Sequence, residues 1–322
     1  MNMSVHPEKI SPHLRHLIQA EDGNGPITRQ FCASREEDVL MPDERDDPIG
    51  DEAHSPLPGL IHRYPDRVLL LPTQDCASHC RFCFRRTRPQ KSAIMNDEAL
   101  KDALAYIRTH AEIREVVLSG GDPLTLPPEK LSRLLTSLDS ISHLIFLRIH
   151  TRMPITNPKA ITKKRLSALT TKNHPLWMVL HVNHSSELTP ECLDSCRKMQ
   201  TMGIPLLAQT VLLRGINDDT DTLATLFRTM AANRIQPYYL HHPDLVPGTS
   251  HFRVSLKRGR EIYAALRGKL SGFCIPHYVL DLPGGHGKVS IATDAIETLK
   301  GENTATIRDR SGRIHEYPGH SS

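Results

Sequence analysis

Short apolar runs rich in β-branched residues and leucine recur at residues 67–72, 115–118, 144–149, 177–182, 205–213 and 236–240. Between them lie longer segments with helical spacing. In residues 96–110, Leu100, Leu104 and Ile107 follow at intervals of four and three, which puts them on one face of an α-helix. Six such alternations predict an α/β fold built on a parallel sheet. Periodicity alone fits an open doubly wound sheet and a partial or complete barrel equally. The placement of the unusual residues favours the barrel. Cys76 to Cys83 follow the first run, Gly120-Gly121-Asp122-Pro123 the second and Thr151-Arg152 the third; Asn183-His184, Arg214-Gly215 and His241 to Asp244 follow the other three. Reactive side chains at the C-terminal end of every strand are what a barrel with its site on that face displays. Residues 1–60 read as a helical, acidic extension that ends in a proline-rich approach, residues 61–290 as the barrel, and residues 291–322 as a polar tail, its last twenty or so residues weakly ordered or an edge hairpin.

Charge sharpens this division. The 322 residues hold 40 Lys+Arg against 36 Asp+Glu, a composition that excludes collagen-like and disordered classes. The first sixty residues carry 5 basic and 12 acidic side chains, leaving 35 basic and 24 acidic on the remainder. The basic surplus belongs to the main body, where it suits nucleic acid or small phosphorylated and carboxylated molecules equally well. The longest strongly apolar stretch, Val68 to Pro72, falls far short of the ~20 residues that span a bilayer, and the first residues lack the apolar core of a signal peptide. A cytoplasmic location is expected. Seven cysteines, three of them within eight residues, favour metal binding over disulfides in a reducing compartment.

Cys76, Cys80 and Cys83 are spaced by three and then two residues. A structural zinc site wants four ligands, and only a histidine such as His79 stands by as a fourth. Three thiolates can instead hold three irons of a [4Fe–4S] cluster and leave the fourth iron open to a substrate. The segment Asp281-Leu-Pro-Gly284-Gly285-His-Gly287-Lys288 fails as a phosphate-binding P-loop, because Leu282 and Val289 stand where glycine and Ser/Thr are required. Taken alone, Lys288 fits either a solvated turn or an amine placed to form a Schiff base with pyridoxal phosphate on a flexible loop.

The cysteine spacing resembles the signature of the radical S-adenosylmethionine enzymes. That resemblance implies a [4Fe–4S] cluster, S-adenosylmethionine on the open iron and a partial (βα)6 TIM-like barrel, with Gly120, Gly121 and Asp122 matching the element that contacts the amino group of S-adenosylmethionine. Together with RYPDRVL, LSGGDPL, QTVLLRGIND, IQPYYLHHPD, HFR and SGFCIPHYVLDLPGG, the two motifs resemble the lysine 2,3-aminomutase family from about His62 to Lys288. The resemblance implies that Lys288 carries pyridoxal 5′-phosphate. It also implies that Arg85 binds the substrate carboxylate and that Asp244 and Asp281 hold the distal ammonium of L-lysine. Arg63, Tyr64, Arg67, Arg152 and Gln209 match positions around pyridoxal phosphate or S-adenosylmethionine. The implied activity is conversion of L-lysine to β-lysine, with a reductant such as flavodoxin or ferredoxin as partner, no nucleic acid, no membrane and a homo-oligomer as the assembly to test. No cysteine follows Cys274, so the zinc-binding tail of longer family members is not expected; the short form resembles the subgroup that supplies β-lysine to elongation factor P. An aminomutase for arginine or glutamate, or a radical enzyme modifying RNA or protein through an Arg81 to Arg88 patch, stands as the alternative.

Overall fold

The apolar runs form strands because alternate side chains can be buried against helices on one face only. In the computed structural model, which describes residues 6–87, 95–292, 296–300, 304–308 and 313–317, these strands are β1 (Leu60–Tyr64), β2 (Arg67–Thr73), β3 (Glu115–Gly120), β4 (Phe146–Thr151), β5 (Leu176–His181), β6 (Leu206–Val211), β7 (Ile235–His241), β8 (His277–Leu282) and β9 (Gly287–Ser290). They lie side by side in chain order. Strands β2 to β8 pair in parallel, while β1 and β9 are antiparallel edges. The six expected strands are β2 to β7. Each is followed by helix: Asp97–Thr109, Pro128–Asp139, the short pair Met153–Thr156 and Lys163–Ser167, Pro190–Thr201, Thr220–Ala232 and Leu256–Lys269. This is a partial (βα)6 barrel extended by the β8–β9 hairpin.

The core sits between the sheet and its helices. Val68, Leu70, Val116, Leu118, Leu147 and Ile149 point outward from β2 to β4 and meet Leu104, Ile107, Leu131 and Leu135 in one buried cluster, which Cys192 and Cys196 join from the helix after β5. Each large aliphatic side chain so buried contributes roughly 1.5–3 kcal/mol. Along β4 and β6 fully buried positions alternate strictly with partly open ones, the period of two that strand geometry imposes. The open set faces the barrel lumen.

Lys288 was expected on a flexible loop, but it lies in β9, directly across from Asp281 in β8. The intervening turn uses Gly284 and Gly285, both at positive φ, and this is why a glycine-rich segment can end in a strand. Tyr64 closes the seam between the two edges: its hydroxyl accepts from the Lys288 N–H at 3.0 Å.

The N-terminal helices Pro12–Ala20 and Pro26–Phe31 share a small core of Leu14, Ile27 and Phe31. They are strapped to the cysteine loop: His79 N–H donates to the Lys9 carbonyl and Arg81 N–H to the Gln30 carbonyl, each at 2.8 Å. Strands β10 (Ile296–Lys300), β11 (Thr304–Arg308) and β12 (Ile314–Tyr317) form a second, antiparallel sheet in the stretch read as a polar tail. Among the described residues no helix is long and apolar enough to cross a membrane.

The turn before β9 is tightly packed, since a Cβ on Gly285 would lie 2.4 Å from His54 Cε1 with φ at +85°. Gly285→Ala is expected to cost about 1–3 kcal/mol and to lower the melting temperature more than Gly203→Ala, where φ is also positive but the space is open.

Candidate active site

The lumen encloses a cavity of about 910 Å³, near the top of the range for small-molecule sites (~300–1,000 Å³). Its wall includes the cluster, cofactor and substrate residues that the resemblance implies: Cys76, Cys80, Cys83, Gly120, Gly121, Asp122, Arg63, Tyr64, Arg67, Arg85, Arg152, Gln209, Asp244, Asp281 and Lys288. Residues more than two hundred positions apart are brought together because β1 to β9 curl round one lumen. His79 is not part of this wall; its Nδ1 lies 2.8 Å from the Pro7 carbonyl and its ring stacks on His6.

The three cysteines lie on the loop after β2, against the turn after β3. A Cβ on Gly121 would meet the Asp75 carbonyl at 2.2 Å, and one on Gly120 the Thr73 carbonyl at 2.5 Å. These glycines therefore let the cysteine loop pack onto the neighbouring strand end. The Asp122 carboxylate is buried and accepts from the Thr151 hydroxyl, the Arg152 N–H and the Leu124 N–H, and burial shifts its pKa upward. Arg152 donates from Nη1 to Cys80 Sγ at 2.8 Å and from Nη2 to Glu187 and Gln30. Its cation thus sits on one of the three cysteines. Burial pushes the thiols of Cys76 and Cys83 up, so an electropositive metal group is what would draw their protons off.

In the same lumen, Lys288 Nζ donates to both carboxylate oxygens of Asp281, at 2.9 and 2.7 Å, and His241 Nδ1 stands 3.7 Å from the same group. Burial works against ionisation of Asp281, but His241 and the Lys288 ammonium hold it well below the usual carboxylate range. Asp244 behaves oppositely. Burial and the neighbouring Asp281 charge push it up to about 7. Asp51 joins two arginines, accepting from Arg63 Nη2 at 2.9 Å and from Arg85 Nε and Nη2 at 3.1 and 2.9 Å.

Asp51, Arg148, His150, Glu187 and Gln30 are site or site-supporting residues that the sequence reading missed, and His241 was passed over. For Arg148 and His150 a signal existed: they occupy alternate, lumen-facing positions of β4, interleaved with buried Leu147, Ile149 and Thr151. The proposed Arg81 to Arg88 surface patch is not found. Arg81 is fully buried on Glu37 and the His6 carbonyl, Arg86 is held by Glu37 and the Gly248 carbonyl, and Arg85 faces the cavity. Arg88 lies outside the described residues.

A model of the radical SAM superfamily matches residues 70–227, and the Lysine-2,3-aminomutase model matches residues 263–321. The chain is thus a radical S-adenosylmethionine protein by fold and motif. It is 39% identical over 317 residues to the L-lysine 2,3-aminomutase of Methanococcus maripaludis, covering 98% of this chain and 73% of that one. It is 37% identical to that of Clostridium subterminale (96% and 74% covered) and 38% identical to that of Escherichia coli (85% and 81%). Among solved structures it is similar to a radical SAM methyltransferase from Sphaerobacter thermophilus, with 18% identity, a TM-score of 0.48 and coverage of 69% and 68%. The chain belongs to the lysine 2,3-aminomutase family of isomerases.

That family uses a [4Fe–4S] cluster, S-adenosylmethionine and pyridoxal phosphate. The residues here fit them. Three thiols line the lumen with a guanidinium aimed at Cys80, and an amine lines the same lumen. Among the described residues, His150 Nε2, His241 Nε2, Arg63 Nε and Arg148 Nε are buried with no hydrogen-bond partner, as suits a polar, anionic guest.

The Arg152–Glu187 pair is fully enclosed. Glu187→Ala leaves a buried guanidinium short of its counter-charge and is expected to cost roughly 3–5 kcal/mol, measured as a shift in the urea unfolding midpoint. Replacing the pair together, Arg152→Met with Glu187→Leu, should cost less than the single change.

Proposed function

We propose that this chain converts L-lysine to β-lysine by moving the amino group from C2 to C3. The observation that carries the reading is one lumen that holds both a guanidinium and two neighbouring carboxylates, matching the two ends of L-lysine. Arg85 is the partner for the substrate carboxylate, since a planar guanidinium takes a carboxylate through two parallel N–H groups. Asp244 and Asp281 are the partners for the distal ammonium. A glutamate in this orientation would bring a third negative charge to the aspartate pair, which disfavours that alternative.

Cys76, Cys80 and Cys83 would hold the cluster, with the turn Gly120-Gly121-Asp122 beside it for S-adenosylmethionine, and Lys288 would hold pyridoxal phosphate with Arg63, Tyr64, Arg67 and Gln209 around it. When bound, the cluster and S-adenosylmethionine supply a hydrogen-abstracting radical, and pyridoxal phosphate supplies a π-system that tolerates an unpaired electron. The chain's own residues do the rest. Arg152 steadies Cys80 through its N–H, Tyr64 fixes the backbone of Lys288, and the wall of β-strands excludes water from reactive carbon centres. Withdrawal of Lys288 Nζ from Asp281 leaves two carboxylates facing the lumen, which another ammonium then satisfies. Flavodoxin or ferredoxin is the class of electron donor this chemistry requires.

Anaerobically reconstituted protein given pyridoxal phosphate, S-adenosylmethionine and L-lysine should yield β-lysine by mass spectrometry; no β-lysine from protein with a spectroscopically intact cluster would overturn the reading. Lys288→Ala should lose the visible band of lysine-bound pyridoxal phosphate while reductive cleavage of S-adenosylmethionine stays detectable.

Asp244 supplies a pH signature. Burial and the Asp281 charge push its carboxyl up to about 7, neutral below and charged above, and a bound cation favours the charged form. The affinity for L-lysine should therefore rise by up to about tenfold per pH unit on the acid side of 7 and level off above it. In Asp244→Asn this slope should vanish from the calorimetric binding curve.

A further inference from the structure

We infer that Asp51 is a positioning residue that aims Arg85 at the substrate carboxylate, and so sets the preference for an amino acid over the matching amine. The inference rests on the reading of Arg85 given above. Asp51 comes from the N-terminal extension, outside the barrel strands, yet its side chain is only 2% exposed. One oxygen accepts from Arg85 Nε and Nη2, and the other accepts from Arg63 Nη2. A single carboxylate thereby ties together two guanidinium groups that would otherwise repel in a half-enclosed lumen.

The donor count gives this bridge a directional consequence. A guanidinium has five N–H groups, and Asp51 engages two of those on Arg85, along the Nε edge. The Nη1 edge remains as the one fork able to take a second carboxylate side by side. Arg85 is further restrained by stacking over Phe84, 4.4 Å from the ring centroid. The bridge is also registered to the lysine-bearing hairpin. Asp51 N–H donates to Asp47 Oδ1 at 2.9 Å, Ser55 Oγ donates to the Asp51 carbonyl at 2.7 Å, and the adjacent Gly50 packs so closely on Gly284 and Gly285 that a Cβ would lie 2.6 Å from the Gly285 nitrogen. Asp51 thus couples the position of the Arg85 fork to the strand that carries Lys288. A substrate held at both points needs that spacing fixed.

The test compares L-lysine with 1,5-diaminopentane, the same chain without its carboxylate, by calorimetry on protein loaded with cluster and pyridoxal phosphate. Wild type should bind L-lysine more tightly than the diamine. Asp51→Ala should weaken L-lysine about tenfold or more and leave the diamine within about twofold, with KM rising more than kcat falls. Asp51→Asn keeps one acceptor oxygen, loses the charge and turns the other acceptor into a donor, and should fall between; if the alanine variant does not load, the asparagine variant decides alone. An unchanged ratio of the two affinities, or an equal loss for both ligands, would overturn the inference. A wild type that does not distinguish the two ligands would instead overturn the assignment of Arg85 itself, so the two failures are separable.

Discussion

Positive charge buried at the mouth of the barrel is the constraint on which this structure depends. Arg63, Arg81, Arg85, Arg86 and Arg152 all have side chains no more than 11% exposed, and an unpaired guanidinium so placed costs several kcal/mol. Their counter-charges come from elsewhere in the chain. Glu37 takes Arg81 and Arg86, Asp51 takes Arg63 and Arg85, and Glu187 takes Arg152. Two of these three carboxylates belong to the N-terminal extension, and Asp43 and Glu44 of the same segment pair with Arg253. The acidic bias of the first sixty residues and the basic bias of the rest are therefore two halves of one electrostatic arrangement. It follows that the extension and the barrel mouth form as a unit.

The same economy of position governs the sheet. A TIM-type barrel ordinarily fills its interior with branched aliphatic side chains. Here the outward face of the strands carries that packing, and the lumen is lined by charged, histidine and aromatic side chains such as Arg67, Glu115, Arg148, His150, Trp177 and Tyr239. These groups are tolerable because they answer one another. Arg148 pairs with Glu115, and the hydroxyls of Tyr238 and Tyr239 bond at 3.1 Å. The cost of a polar interior is offset by core burial on the helix side, which is why Cys192 and Cys196 can serve as packing while Cys76, Cys80 and Cys83 do not.

What could be read from the sequence was what is local. Six strand–helix units show as alternating periods because each unit is laid down over adjacent residues, and the cysteine spacing is legible for the same reason. The edge strands β1 and β9 were not legible: one follows a proline-rich approach, and the other starts at Gly287 after two turn glycines. The acidic residues that organise the site were also invisible. Asp51 lies twelve and thirty-four positions from its two arginines, and Glu187 thirty-five from Arg152, and no periodicity connects such partners. Even the glycines of the turn after β3 have a structural duty the motif does not state, which is contact with the cysteine loop.

The seven-residue spacing between Asp281 and Lys288 acquires its meaning only from the hairpin, where the two become cross-strand partners. Side chains directly opposite in adjacent strands lie ~5 Å apart, so the lysine and the carboxylate cannot ignore each other. The consequence runs through the whole wall. With Lys288 on Asp281, one carboxylate is firmly charged, while Asp244 beside it is pushed to about 7 and stays partly neutral. Neighbouring carboxylates whose environments drive their pKa values apart form a holder that takes on full charge when a second cation arrives. On the proposed reading, the lysine that departs and the ammonium that enters are both matched by this one pair. A substrate without a distal cation would leave Asp244 charged only at the expense of repelling Asp281, so selection for L-lysine is a property of the hairpin's register as much as of any single side chain.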